Sequence, residues 1–325
     1  MRHLEFLAGR LFKAVLVMFG IIVLNFFLVR LAPGDPATVL AGEAGVVDPQ
    51  FMAELRARYG LDQPLYEQLA IYVSRAATLD FGESYRIQRP AMDLIAERLP
   101  ATLLLSLTAF ALAIVLGVTL GVLAARRVGR WQDMVITVAA LVFFAMPLFW
   151  IGLMAILLFS VQLGWLPAYG METVGGNYSG VGRAFDIARH LVLPATTLGL
   201  FYVAVYVRMT RASVLEVSQL DFVRTARAKG IREARIWRRH ILKNALLPVI
   251  TLASLQAGAL VGGAVVTETV FAWPGVGRLA FDALGQRDYN LLLAVFTVTS
   301  AMVILFNLIA DLVYSLIDPR IEVKG

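Results

Sequence analysis

Ala101-Thr-Leu-Leu-Leu-Ser-Leu-Thr-Ala-Phe-Ala-Leu-Ala-Ile-Val-Leu-Gly-Val-Thr-Leu-Gly-Val-Leu-Ala124 contains no ionisable side chain, and its reading decides the fold. A helix rises 1.5 Å per residue, so about 20 such residues cross the ~30 Å hydrocarbon core of a bilayer. A soluble helix of this length would show a polar face, and this run has none. It reads as a membrane span.

Comparable apolar runs lie on both sides of it. Hydropathy predicts spans near residues 9–31, 100–124, 134–162, 191–211, 246–270 and 291–316, an all-α integral membrane fold of six transmembrane helices. The composition agrees: 59% hydrophobic and 16% charged, with mean hydropathy +0.74, where soluble domains carry about a quarter charged residues. The first run follows Arg2, Arg10 and Lys13. It is longer than the apolar stretch of a signal peptide and no small-residue cleavage site follows, so it is expected to be retained.

The net charge of +6 does not point to nucleic acid, because the basic residues sit in short segments beside the spans. With the N-terminus inside, the inner segments carry 18 Lys and Arg and the outer ones 10, Arg30 standing at a border. The positive-inside rule therefore puts both termini in the cytoplasm. There is no cysteine, and His3, His190 and His240 are far apart. Neither a disulfide framework nor a metal site is expected, and no cofactor.

The outer segment, residues 32–99, is too long for a plain loop. Asp48 can cap a helix with Pro49 in its first position and Gly60 past its end, Phe51, Leu55 and Tyr59 sharing a face. A second helix begins near Pro64, with Leu65, Leu69, Tyr72, Val73 and Ala76 at helical spacing. This is expected to be a small external cap, either a lid on the bundle or a docking surface. Within the spans, Pro147 should kink the third helix, and Gly258, Gly262 and Gly263 make the fifth a close-packing or bending helix.

The most informative polar segment runs from Asp221 to Pro248: Asp-Phe-Val-Arg-Thr-Ala-Arg-Ala-Lys-Gly230, then Ile-Arg-Glu-Ala-Arg-Ile-Trp-Arg-Arg-His-Ile-Leu-Lys-Asn-Ala-Leu-Leu-Pro. It reads as helix, turn, helix, with Asp221 as cap and Gly230 as the left-handed residue closing the first helix. In the second, Ala234, Trp237, Ile241 and Ala245 form one face, and Arg232, Arg235, Arg239 and Lys243 another. Such a cationic amphipathic helix can lie on anionic lipid. Its small residues Ala226, Ala228 and Gly230 equally suit it to a groove on a cytoplasmic protein.

This loop resembles the EAA loop of permeases of ATP-binding cassette importers, in the form seen in the dipeptide, oligopeptide and nickel permease family. Further matching stretches are Arg30-Leu-Ala-Pro-Gly-Asp-Pro36, Asp80-Phe-Gly-Glu-Ser84, Leu99-Pro-Ala-Thr102, Met146-Pro-Leu-Phe-Trp150, Gly164-Trp-Leu-Pro167, Glu268-Thr-Val-Phe-Ala-Trp-Pro-Gly-Val-Gly277 and Asp318-Pro-Arg320. Several motifs in order are more specific than any one. The loop departs from the broad Glu-Ala-Ala-x3-Gly pattern, since Arg224 and Thr225 stand where Glu and the first Ala would be.

The resemblance implies one permease domain over residues 1–325, of the type I ABC importer fold, with an extracytoplasmic insertion at 32–99 and a cytoplasmic coupling loop at 212–245. It implies coupling to an ATPase through Thr225, Ala226, Arg227, Ala228, Lys229, Gly230, Ile231, Ala234 and Arg235. The implied partners are a second permease subunit, two ATP-binding subunits, an extracytoplasmic solute-binding protein and the lipid bilayer of the bacterial inner membrane, with peptides or a related small solute as cargo.

The sequence shows no engine of its own. It contains no Gly-x4-Gly-Lys-Ser/Thr phosphate loop, and no chain of acids or histidines suited to proton relay: Asn25, Gln256 and Asn307 are scattered, and Glu268 and Asp311 fall near span ends. A stand-alone channel or secondary transporter is the alternative, and would transport without partners. A membrane enzyme would need a clustered nucleophile, base or metal site. Gln256 and Thr267 are candidate pathway residues, with interhelical hydrogen bonding as their other reading.

Overall fold

The computed structural model describes residues 2–31, 49–58, 62–257 and 264–317. Among these the regular secondary structure is helical, the one β feature being an isolated bridge between Glu83 and Pro90. Four helices are long and apolar enough to cross a membrane, over Gly9–Leu28, Ala91–Arg126, Gly180–Ser218 and Tyr289–Ala310. A bent pair, Trp131–Ala145 with Leu148–Gln162, raises the number to five if it counts as one span. In the expected fifth span, the helices Lys243–Ala257 and Val265–Val270 are described, while Gly258, Gly262 and Gly263 lie outside the described residues.

We label the helices α1 (Arg2–Leu31), α2 (Pro49–Arg58), α3 (Leu65–Ala77), α4 (Ala91–Arg126), α5 (Trp131–Ala145), α6 (Leu148–Ala155), α7 (Gly180–Ser218), α8 (Asp221–Ala228), α9 (Glu233–Ile236), α10 (Lys243–Ala257), α11 (Val265–Val270), α12 (Val276–Gly285) and α13 (Tyr289–Ile317). π-helical turns, Ile156–Gln162 and Trp237–Leu242, continue α6 and join α9 to α10. Two compact units result, one of residues 1–100 and 275–308, the other of 101–274 and 309–325.

In the first unit α1 carries its apolar side chains outward: Leu11, Phe12, Val15, Leu16 and Phe19 are all more than half exposed. Such a surface needs lipid or a partner helix to cover it. Its inner face meets α3, where Phe26 stacks on Tyr72 at 5.9 Å, and the Tyr72 hydroxyl lies 2.7 Å from Thr297 Oγ1 of α13. α2 begins at Pro49 as expected, while Asp48 and Gly60 and the side chains of Phe51, Leu55 and Tyr59 lie outside the described residues. In α3 the expected inward face is corrected at one position. Leu65 is 55% exposed and Gln68 is buried in its stead, its Nε2 donating to the Gln63 carbonyl oxygen at 2.6 Å.

α4 starts nine residues before the expected boundary. Ala91, Leu94 and Ile95 are buried with Phe81 and Val276 while Asp93 and Glu97 are exposed, and this amphipathic stretch is invisible to a hydropathy window.

In the second unit Ala101, Leu105, Ala109, Ala113, Gly117, Gly121 and Ala125 recur every fourth residue of α4 and are all buried. This ridge meets α7. Cβ atoms built at Gly117 and Gly121 would stand 2.3 Å from Tyr206 Cβ and 2.6 Å from Thr210 Cβ, and one at Gly199 would lie 3.2 Å from the Ala109 carbonyl oxygen. Small residues let the two backbones touch, which in a bilayer supplies the dispersion contact that hydrophobicity cannot.

The register Ala109 to Gly199, Gly117 to Tyr206 and Gly121 to Thr210 makes α4 and α7 parallel. Two parallel helices require the intervening chain to travel back, and the bent pair α5 and α6 lies on that return. The break is sharper than the kink expected at Pro147. The two helices meet at 105°, with Met146 and Pro147 both extended at ψ 139° and 133°. The residue before a proline is pushed out of helical geometry, and Pro147 then starts α6 as its cap.

The described residues of α9, α10 and α11 follow α7 the other way. Ile241 and Ala245 cluster with Val214, Val249 with Val203 and Val207, and Ala264 and Trp273 with Leu191 and Leu198.

Candidate functional site

The segment from Asp221 to Lys243 forms two short helices set against the end of α7. α8 buries Val223 and Ala226 and exposes Arg224, Thr225, Arg227, Ala228, Lys229 and Gly230. Its start corrects an expectation: Leu220 is the cap residue and makes no side-chain cap hydrogen bond, and Asp221 is the first helical residue. Asp221 contributes there through its charge, which is favourable at a helix N-terminus.

The end of α8 is as expected. Gly230 has φ +71°, its N–H donates to Arg227 O at 2.9 Å, and Ile231 N–H donates to Ala226 O at 3.3 Å. These paired bonds form a Schellman turn, with Ile231 folding onto the cluster that holds Ala226. A fork of Arg227 Nε and Nη2 on Glu233, at 3.4 and 3.0 Å, then ties α8 to α9.

The inward face of the second helix is also corrected. Ile236, Ile241 and Ala245 are buried, Trp237 is half-buried and Ala234 is exposed. A uniform 3.6-residue period would place Ala234 inward, but the π turn at Trp237–Leu242 accommodates five residues where an α turn takes four. Ile236 and Ile241 therefore share a face. Ala234 and Arg235 join the exposed surface of α8, alongside Arg232, Arg238 and Arg239. Of the nine residues expected to form the site, only Ala226 and Ile231 point inward, as anchors.

Two supports of this surface escaped the sequence reading. Arg126, the last residue of α4, lies with its guanidinium carbon 4.8 Å from the Trp237 ring centroid. Arg211 of α7 donates from Nε and Nη2 to Asp133 of α5 at 2.7 and 2.9 Å, and the Asp133 side chain is only 8% exposed. A lone acid near the start of an apolar run was the available signal.

The other quoted motifs also close on one another. Asp288 is buried and accepts from Ser84 Oγ and from the backbone N–H of Tyr85, Arg86 and Leu291. It thus caps α13 and pins the Asp80–Ser84 motif. Replacing Asp288 by Ala leaves four donors without this acceptor. It is expected to destabilise the first unit by about 2 kcal/mol, read as a lower Tm in detergent, with D288N losing less.

In the second unit Glu268 is fully buried and accepts from Thr102 Oγ1 at 2.7 Å, while Trp273 Nε1 donates to Ala101 O at 2.9 Å. The candidate pathway residues lie on either side of the undescribed stretch, Gln256 in α10 and Thr267 in α11. Gln256 Oε1 and Thr267 Oγ1 are buried without a hydrogen-bond partner among the described residues.

This architecture has known counterparts. Residues 117–323 match the family described as binding-protein-dependent transport system inner membrane component, and residues 3–108 match the N-terminal part of such membrane components. The chain is 43% identical to the di/tripeptide transport system permease protein DppB of Pseudomonas aeruginosa, over 98% of this chain and 99% of that one. It is 40% identical to the glutathione transport system permease protein GsiC of Escherichia coli (99% and 100%), and 39% to the oligopeptide transport system permease protein AppB of Bacillus subtilis (98% and 99%). Among solved structures, the inward-facing MetNI methionine ABC transporter superposes with a TM-score of 0.55 at 19% identity, covering 70% of this chain and 97% of that one. At that identity the likeness speaks for the fold.

Proposed function

Because the chain belongs to the family of binding-protein-dependent transport system inner membrane components, and is therefore the non-catalytic permease subunit of an ABC importer, we propose that its cargo is short peptides. One observation carries the cargo: identity of 39 to 43% along the whole chain to permeases named for di/tripeptides and oligopeptides. The tripeptide-like thiol of the glutathione permease is of the same chemical class.

The proposed topology has six spans with both termini cytoplasmic. The α9 to α11 segment retraces α7 from Val214 to Leu191, which supports residues 246–270 as a crossing, and the Lys and Arg distribution supports the orientation. Residues 1–325 then form one permease domain, residues 32–99 its external face and residues 212–245 its coupling loop. A second permease subunit, two ATPase subunits and an external binding protein complete the importer.

The exposed face of α8 and α9, from Thr225 to Arg235, seats in the ATPase. When the ATPase pair closes on ATP, force enters through Ala226 and Ile231, the two residues that anchor this face to α7 and α10, and rocks the spans. Gln256 and Thr267 line the pathway that opens. The test is reconstitution in liposomes with cognate ATPases, second permease and peptide-loaded binding protein. Labelled dipeptide should accumulate only with ATP and all partners present, and accumulation by this chain alone would favour an autonomous channel instead.

A further inference from the structure

Beside the Asp133–Arg211 pair lies a cleft of ≈ 550 Å³, lined by Gly129, Arg130, Trp131, Asp133, Met134, Thr137, Val138 and Arg211. Its lining combines two chemistries. The basic part is Arg130, whose guanidinium has no protein partner among the described residues, and Arg211, whose Nη1 is left over after Nε and Nη2 bind Asp133. Asp133 is already matched by Arg211, Gly129 N–H and Thr137 Oγ1, so it leaves little uncompensated negative charge. Arg126 and Arg127 precede the cleft in sequence. The apolar part is Trp131, Met134 and Val138, which are 67%, 63% and 53% exposed, on the first two turns of an apolar helix entering the bilayer.

We propose that this cleft holds one anionic phospholipid, its phosphate between Arg130 and Arg211 and an acyl chain along Trp131, Met134 and Val138. Charge complementarity selects the headgroup, since basic pockets between spans at the inner face bind anionic lipids. The apolar wall distinguishes a lipid from a free phosphate: a bare ion would leave Met134 and Val138 uncovered. Tryptophan at the rim suits the headgroup level of the membrane. The lipid would sit against the ion pair that ties α5 to α7, close to the start of the coupling loop. The inference rests on the membrane reading of the chain and not on its cargo.

The test is native mass spectrometry of the full-length chain in detergent with added phosphatidylglycerol or phosphatidylcholine. Wild type should retain one phosphatidylglycerol in preference to phosphatidylcholine. R130Q, at an exposed position outside the ion pair, should reduce that preference about fivefold, the effect of one basic residue at a membrane surface. Millimolar inorganic phosphate should not displace the lipid, and M134S should weaken retention of phosphatidylglycerol. Equal retention of both lipids by wild type, an unchanged preference in R130Q, or displacement by phosphate would each overturn the assignment. Peptide uptake is not read in this experiment, so its outcome is independent of the cargo proposal.

Discussion

Replacing Gly117 by valine is expected to be the most damaging single substitution in the second unit, costing about 3 kcal/mol or more and preventing stable membrane assembly. A Cβ at this position would stand 2.3 Å from Tyr206 Cβ and 3.3 Å from the Val203 carbonyl oxygen. The first obstacle is attached directly to the neighbouring backbone, so no rotamer change relieves it. α4 and α7 must separate, and overpacking of this kind typically costs 1 to 3 kcal/mol, more where the backbone itself has to move. The controls are specific. Tyr206→Ala keeps the colliding Cβ and should not rescue Gly117→Val, whereas Val115→Leu, 59% exposed on the same helix, should be neutral. Thermal unfolding in detergent reads the result. A Gly117→Val chain with unchanged Tm would show that the helices do not touch here.

The second large effect is expected at Gly230, and it separates coupling from folding. No heavy atom lies within 4 Å of a Cβ built there, so a side chain has room, and only the φ of +71° opposes it. A β-branched residue in the left-handed region costs about 1 to 3 kcal/mol, enough to shift the turn population by a factor of roughly 5 to 30 or more. Gly230→Val should therefore unlatch Ile231 from Ala226, leave the spans folded, and cut ATP-driven uptake by about tenfold. Gly230→Asn, whose side chain tolerates this conformation, should keep most of it. Uptake and ATP hydrolysis in the reconstituted importer, beside Tm of the permease, decide the matter. If the Val and Asn variants both transport like wild type, or if acids at both Ala226 and Gly230 leave assembly and uptake intact, the loop is not the coupling element.

The Gly230 turn was legible because its cause is local: a glycine is the residue for a left-handed closing position. α3, α11 and α12 end in the same paired-bond turn, yet with Leu79, Ala272 and Arg287 at φ 58°, 49° and 56°. No glycine marks them. Tertiary contacts of the adjoining chain hold these turns instead: Asp288, next to Arg287, is fixed by Ser84, 204 residues away in the chain. The inward face of the second loop helix differs from its sequence pattern at Ala234 for a related reason, since its period changes at a π turn that the cluster around Ile236 and Ile241 imposes.

By itself the sequence determined that this chain lives in a membrane, where its long apolar runs fall, and that a basic helix-turn-helix links two of them. These follow from rules that each segment obeys alone: hydrocarbon contains no water to satisfy a polar side chain or an unpaired backbone group. The tertiary structure alone decided the parallel contact of α4 with α7 along the Ala109–Gly121 ridge, the 105° break before α6, and the Asp133–Arg211 pair beside its half-apolar cleft. Each depends on what a residue meets across the fold. Lipid-facing and helix-facing surfaces are equally apolar here, so hydropathy could find apolar runs but not say which of their faces touch.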